Sequence, residues 1–286
     1  MLIDLHLHST ASDGVLAPAA LVAQAAGLGA ALVALTDHDS VDGIPQARNA
    51  ADAAGVALIP GVELGTEGGE VHLLGYGLDA EAPALTAFFA DLQAQRRQRA
   101  SAILSKLDAL GLHLDELAVA ARAEHSLSRT HVAQALVAQG AVTSIKEAFE
   151  RFLKPGRPAY VPRPPLPMAR AIRILREAGA APVLAHPGLL PLHEQQVYRR
   201  ALIWRDEGLM GIEAYHPGHT PAQAHGFAQF ARVNGLLVTG GSDFHGPSVR
   251  SVRIGDGMRG WDQKQADATA LWRAARHTVG VWLPLS

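Results

Sequence analysis

Short apolar runs that alternate with helix-length amphipathic stretches constrain this chain more than any other feature. The runs are LIDLHLH (2–8), ALVALTDH (31–38), VALIPGVEL (56–64), VHLLGYG (71–77), APVLAHP (181–187), MGIEAYH (210–216), LLVTGGSDFH (236–245) and VGVWLP (279–284). Between most of them lie helical patterns such as Pro18–Gly27, Ile44–Ala54, Leu166–Ala178, Pro221–Asn234 and Trp261–His277. A strand that returns through a helix runs parallel to its predecessor, so the pattern calls for βαβ units and a parallel sheet. About seven such strands predict a closed β/α barrel. The 286 residues, 48% of them hydrophobic, can bury its core.

Two stretches break the alternation. GTEGGE (65–70) is too short for a parallel crossover, so the third and fourth strands should form an antiparallel hairpin. The stretch from about 80 to 165 is helical throughout and ends in the proline-dense KPGRPAYVPRPPLP (154–167). We therefore expect a barrel built from 1–99 and 161–286, with a helical subdomain inserted at 100–160.

Composition excludes several classes. A formal net charge of −2 does not suit a duplex-DNA binder, although it leaves room for a local basic pocket. There are no cysteines, so disulfides are excluded and any metal must be held by nitrogen and oxygen. LVAQAAGLGAALVAL (21–35) is apolar, but Gln24 and the Gly27–Gly29 break make it a core helix and strand, with no membrane partner expected. No basic region precedes the first strand, so no signal peptide and a cytoplasmic location are expected.

The chemistry-bearing residues fall where such a barrel builds its sites. His6 and His8 sit two apart in the first strand and so share a face, which could be a ligand pair or the wet side of an edge strand. His38, Glu63, His186, Asp243 and His245 stand at carboxyl ends of their strands, the functional rim of a β/α barrel. His72 begins its strand, but an antiparallel strand begins where its neighbour ends, so it joins the same rim. Asp13 completes the set. Each has an ordinary explanation alone: Asp13 as a turn residue before Gly14, Asp243 as a cap, His72 as a strand histidine. Together they make nine nitrogen and oxygen donors, too many for one ion and suited to two or three that share carboxylates.

In their order, DLHLHSTASDG, TDHD, GVE, VHLLGY, AHP and SDFH resemble the polymerase-and-histidinol-phosphatase (PHP) family of metallophosphoesterases. The resemblance covers about 1–80 and 165–250. It implies a distorted seven-stranded barrel of PHP type and a trinuclear centre of manganese, iron or zinc, with manganese expected first. It implies that His6, His8, Glu63 and Asp243 hold one ion; that Glu63, bridging, with His72 and His186 holds a second; and that Asp13, His38 and His245 hold the third. Asp13 departs from the histidine found in many members, which counts against histidinol phosphate as substrate. SLSRTH (126–131) and FLKPGRPAYV (152–161) resemble the branch that contains 3′,5′-nucleoside bisphosphate phosphatases and 5′-to-3′ exoribonucleases.

That branch implies removal of the 3′-phosphate from nucleoside 3′,5′-bisphosphates by attack of metal-activated hydroxide. Asp37 and Asp39 are placed to orient ligands around His38, though Asp39 serves equally as a turn residue. Ser128 reads as an N-cap beside Arg129, and with Lys154 and Arg157 these groups could hold a 5′-phosphate. His216 and His219 in YHPGHT are rim candidates for protonating the leaving group or touching substrate. Arg96, Arg97 and Arg99 read as a solvated helix face rather than an RNA track. The competing readings are a 5′-to-3′ exoribonuclease on short 5′-phosphorylated RNA, a non-catalytic PHP-like metal-binding module, and C–N bond hydrolysis, which lacks a barrel lysine here.

Overall fold

The structure, a computed structural model, describes residues 2–67, 71–120, 129–162, 164–247 and 251–258. The expected last helix and last strand lie outside the described residues, as does Ser128. Contacts divide the chain into two compact units, one of 1–86 with 165–286 and one of 87–164. The helical unit is thus wider than the 100–160 stretch because its first helix is continuous from Pro83 to Asp108.

The first unit holds a seven-stranded sheet in chain order: β1 (Leu2–Leu7), β2 (Ala30–Leu35), β3 (Ala57–Thr66), β4 (Val71–Tyr76), β5 (Ala181–Leu184), β6 (Gly211–Tyr215) and β7 (Leu237–Gly240). β1 to β3 are parallel, as are β5 to β7, and β4 is antiparallel to both neighbours. The hairpin expected from the short GTEGGE connection is present, with Gly65 opposite His72.

Helices α1 (Pro18–Gly27), α2 (Ile44–Ala54), α7 (Met168–Glu177), α8 (Glu194–Asp206) and α9 (Pro221–Val233) belong to this unit. Their boundaries follow local chemistry. Pro18 starts α1, where a missing N–H costs nothing, and Gly55 ends α2 at φ 68°, open to a residue without Cβ. Thr220 and Gln223 cap α9 reciprocally.

The sheet curls on itself. Beyond β7, Asp243 N–H donates to His6 O (2.9 Å) and His8 N–H to Phe244 O (3.0 Å), so the chain after the last strand runs beside the first. Gly241 permits this: a Cβ there would lie 2.3 Å from His6 Cβ. β1 and β4 are not neighbours in the sheet, yet the Tyr76 hydroxyl donates to Leu5 O across the interior at 2.8 Å. Ile3, Leu5, Ile59, Leu74, Tyr76 and Val183 pack the core below it. The fold is the expected distorted β/α barrel.

The second unit contains most of α3 (Pro83–Asp108), then α4 (Glu116–Ala120), α5 (Arg129–Ala138), α6 (Ile145–Ala148) and a π-helical turn, Phe149–Leu153. Ile103, Leu107, Val132, Leu136 and Leu153 form its own core. No helix among the described residues is long and apolar enough to cross a membrane.

Tyr76 makes its bond while fully buried. Tyr76→Phe should therefore lower stability by about 1–2 kcal/mol in denaturant titration, the cost of leaving the Leu5 carbonyl without this donor.

Candidate metal centre

The first strand is not the wet edge that its His-x-His pattern allowed. Asp4, His6 and His8 are as buried as Leu5 and Leu7, so both faces of β1 are covered. The two imidazoles therefore line the barrel end. His38 follows β2 and bridges to Glu63 on β3, and the hairpin brings His72 beside Glu63. His186 (φ 26°) and Asp243 (φ 54°) both occupy the left-handed region. Non-glycine backbone is strained there and persists only when its surroundings fix it, a condition concentrated at functional sites.

All nine expected donors converge, with Glu63 at the middle. Its Oε2 lies 3.2 Å from His6 Nε2, 3.2 Å from His8 Nε2 and 3.1 Å from His38 Nδ1. Its Oε1 lies 2.8 Å from His72 Nδ1 and 3.0 Å from His186 Nε2. Asp243 Oδ1 is 3.2 Å from His8 Nε2 and 3.5 Å from His6 Nε2. Asp13 meets His245 Nε2 at 3.3 Å, His8 Nδ1 at 3.7 Å and His38 Nε2 at 3.9 Å. Three donor groups result, His6–His8–Glu63–Asp243, His38–Glu63–His72 and His8–Asp13–His38–His245; His186 falls in none of them, and His38 stands beside Glu63 and His72 where the resemblance implied His186.

The residues fit divalent cations on a structural ground. His6 Nε2, both nitrogens of His8 and Glu63 Oε2 are buried without a hydrogen bond, a costly arrangement unless something electropositive satisfies them. Every donor is nitrogen or oxygen, which suits manganese, iron or zinc. Without metal, their charge states differ from one donor to the next. Burial works against the charged forms of Glu63 and Asp243, but the surrounding imidazoles hold both well below the usual carboxylate range. Burial lowers His38 to about 4, so it stays neutral and able to ligate. Burial also opposes charge on His8, yet Asp243 and Glu63 raise it to about 10.

A surrounding layer orients these donors, and part of it escaped the sequence. Glu213, fully buried in β6, accepts from His6 Nδ1 (2.9 Å) and from the His186 backbone N–H (2.7 Å). It thereby turns His6 Nε2 inward and pins the strained His186. The signal was present: a glutamate inside the apolar run MGIEAYH, in a strand covered on both faces. Asp4, also overlooked, accepts from the backbone N–H groups of His6, Ser242 and Gly255. His245 Nδ1 donates to Asp243 O (2.9 Å), which leaves Nε2 toward Asp13. Asp37 accepts from Ser9 N–H, Ser9 Oγ and Ser12 Oγ at 2.6–2.7 Å, so it holds the loop carrying Asp13 rather than touching a reacting group.

The remaining residues separate. His216 Nδ1 accepts from Gly218 N–H (3.0 Å), which places its proton on Nε2, 3.5 Å from Asp243 Oδ2. His219, expected to meet substrate, has both nitrogens committed to backbone: Nδ1 donates to Ala214 O (2.9 Å) and Nε2 accepts from Gly188 N–H (3.0 Å). It braces the turn after His186. In the helical unit, Arg129 donates to Leu153 O (3.2 Å) and lies over the Phe149 and Tyr160 rings. Lys154 is half-buried and Arg157 exposed in the turn that follows.

Residues 4–155 match the model of the PHP domain. The chain belongs to the PHP domain family. A 3′,5′-nucleoside bisphosphate phosphatase from Chromobacterium violaceum is 36% identical over 88% of this chain and 90% of its own length. A 5′-3′ exoribonuclease from Haemophilus influenzae is 36% identical over 85% of this chain and 90% of its own. Among solved structures, an amidohydrolase from Chromobacterium violaceum, with bound sulfate and no metal, superposes with a TM-score of 0.78. It is 35% identical and covers 89% of this chain and 90% of that one. This PHP chain is accordingly an enzyme, a hydrolase of phosphate esters.

Glu213→Gln keeps the side-chain shape but removes the charge facing His6. Manganese affinity should fall on the order of 10- to 100-fold in calorimetric titration, with the circular dichroism spectrum unchanged. The raised pKa of His8 means that it is protonated near neutral pH without metal, so loading must release protons and affinity must fall as pH falls. Titration in two buffers of different ionisation enthalpy measures that release.

Proposed function

We propose that this PHP enzyme removes the 3′-phosphate from nucleoside 3′,5′-bisphosphates, such as adenosine 3′,5′-bisphosphate, leaving the 5′-monophosphate. The nine donors would hold three divalent ions, manganese first among them, divided as the resemblance implies. When bound, such ions acidify water and neutralise phosphoryl oxygens, the two demands of phosphate-ester hydrolysis near neutral pH. His6, His8, Glu63 and Asp243 form the most buried group, and Glu213 and His245 Nδ1 fix which atoms face inward. His216 carries a proton on Nε2 beside Asp243 and is the group we assign to the leaving alkoxide.

The observation that carries the substrate reading is Arg129. Its guanidinium is half-buried, held by a carbonyl and two aromatic faces in a helical unit separate from the barrel. A fixed cation of this kind suits a second phosphate, which a 3′,5′-bisphosphate carries and an ordinary monoester lacks. Ser128, Lys154 and Arg157 belong to the same proposal. The name of the Chromobacterium relative supports it. That of the Haemophilus relative favours the second reading, 5′-to-3′ cleavage of short 5′-phosphorylated RNA, which needs the same 5′-phosphate anchor. The completeness of the donor set speaks against a non-catalytic module.

Manganese-loaded protein should release phosphate from adenosine 3′,5′-bisphosphate far faster than from 3′-AMP and leave 5′-AMP intact. Arg129→Ala should raise KM for the bisphosphate about tenfold, the worth of one charged hydrogen bond, and leave 3′-AMP unaffected. Shortening of a 5′-phosphorylated dinucleotide, with the bisphosphate untouched, would replace the first reading by the second.

A further inference from the structure

Among the nine donors, Asp13 is the outlier. Its side chain is 43% exposed, whereas those of His6, His8 and Glu63 are fully buried and those of Asp243 and His245 nearly so. It stands farther from a strand than any other donor, in the turn that follows His8. Its distances to His245, His8 and His38, 3.3–3.9 Å, are all longer than those around Glu63, 2.8–3.2 Å. A ligand on an exposed turn holds a cation only as well as the turn itself is held.

This turn is held at both ends. At the far end Val15 N–H donates to His245 O (2.8 Å), and Gly14 lies so close to His8 that a Cβ would come within 2.3 Å of its carbonyl oxygen. At the near end the anchor is Asp37, a buried carboxylate in the segment between β2 and α2. Its Oδ1 accepts from Ser9 N–H (2.7 Å) and from Ser12 Oγ (2.6 Å), and its Oδ2 accepts from Ser9 Oγ (2.7 Å). Ser9 Oγ in turn accepts from Ala11 N–H (3.2 Å), so one carboxylate orders the turn up to the residue before Asp13. The Ser12 hydroxyl has one proton and two carboxylates in reach, Asp37 Oδ1 at 2.6 Å and Asp13 Oδ1 at 3.3 Å. The shorter bond takes that proton and leaves Asp13 Oδ1 to His245 and His8.

Asp37 also bears on a second donor of the same group. Its carbonyl accepts from Glu63 N–H (3.1 Å), and Asp39 N–H donates to Glu63 O (2.9 Å), so the backbone on both sides of His38 is fixed to β3. The backbone of Asp37 thus fixes His38, and its side chain brings Asp13 to it.

We infer that Asp37 is the positioning residue of the His8–Asp13–His38–His245 group. Through Ser9 and Ser12 it sets how tightly that group holds a divalent cation, the last of three to be taken up and the first to be lost. The inference rests on the proposed function, in which three ions bind, and deepens it by ranking the groups. The His6–His8–Glu63–Asp243 group, by contrast, is carried by backbone that strand pairing and barrel closure hold.

The test counts ions and needs no turnover. The metal-free full chain is dialysed to equilibrium against graded manganese, and bound manganese per chain is measured. The wild type should show two tight ions and a weaker third. Asp37→Ala should weaken the third on the order of 10- to 100-fold and leave the other two unchanged. Asp37→Asn, whose amide oxygen can still accept from Ser9 N–H, should recover part of that loss. Ser12→Ala changes only a half-buried hydroxyl and so serves if Asp37→Ala does not fold. It should weaken the same ion by a smaller factor, with the melting temperature kept. Glu213→Gln should do the reverse and weaken the tight ions. Three affinities that fall together in the Asp37 and Ser12 variants overturn the inference, because a merely structural role would act on all donors alike. Three ions of equal affinity in the wild type overturn it too, as does a third ion that neither set of variants moves. Two ions per wild-type chain overturn the three-ion reading instead. The inference then stands if Asp13→Ala removes the weaker of the two, and falls if Asp13→Ala changes nothing.

Discussion

One buried carboxylate organises the molecule. Glu63 has no exposed surface, and five imidazoles, from β1 and the residue after it, from β4, and from the segments after β2 and β5, approach its two oxygens within 2.8–3.2 Å. An isolated carboxylate in such a place would take up a proton rather than stay charged. Here the imidazoles keep it ionised, and the imidazoles in turn have buried nitrogens with no hydrogen bond. The cluster is an incomplete electrostatic set whose natural completion is positive charge.

The barrel exists in the form that this cluster needs. A regular parallel barrel would have no place for His72, which enters the site only because β4 reverses direction after a short turn. Closure between β1 and the segment after β7 brings Asp243 and His245 against His6 and His8, through Gly241, where a side chain would collide with His6. The left-handed backbone at His186 and Asp243 is held by the same contacts, Glu213 accepting from His186 N–H and His6 O accepting from Asp243 N–H.

The helical unit obeys a different logic. It has its own apolar core and carries its positive groups on α3 and α5, where they meet inside a cavity rather than on an open surface. The nine donors and these arginines thus lie in separate compact units of the chain.

Much of this was legible in the residues. Period-two alternation placed His6 and His8 on one face, the strand–helix alternation gave the barrel, and the short GTEGGE connection required the hairpin that carries His72 to the rim. These are local rules, since a strand's faces and a turn's length do not depend on distant contacts. Folding alone decided the rest. Glu213 looked like one more strand residue until His6 and the His186 backbone arrived from elsewhere in the chain. His219 looked like a rim residue placed to touch substrate until Ala214 O and Gly188 N–H took both nitrogens. Arg96 and Arg99 looked solvated until α5 set Arg129 beside them. In each case the partner is a backbone atom or side chain that three-dimensional packing brings in, and a hydrogen bond or cavity wall is defined only when both sides are present.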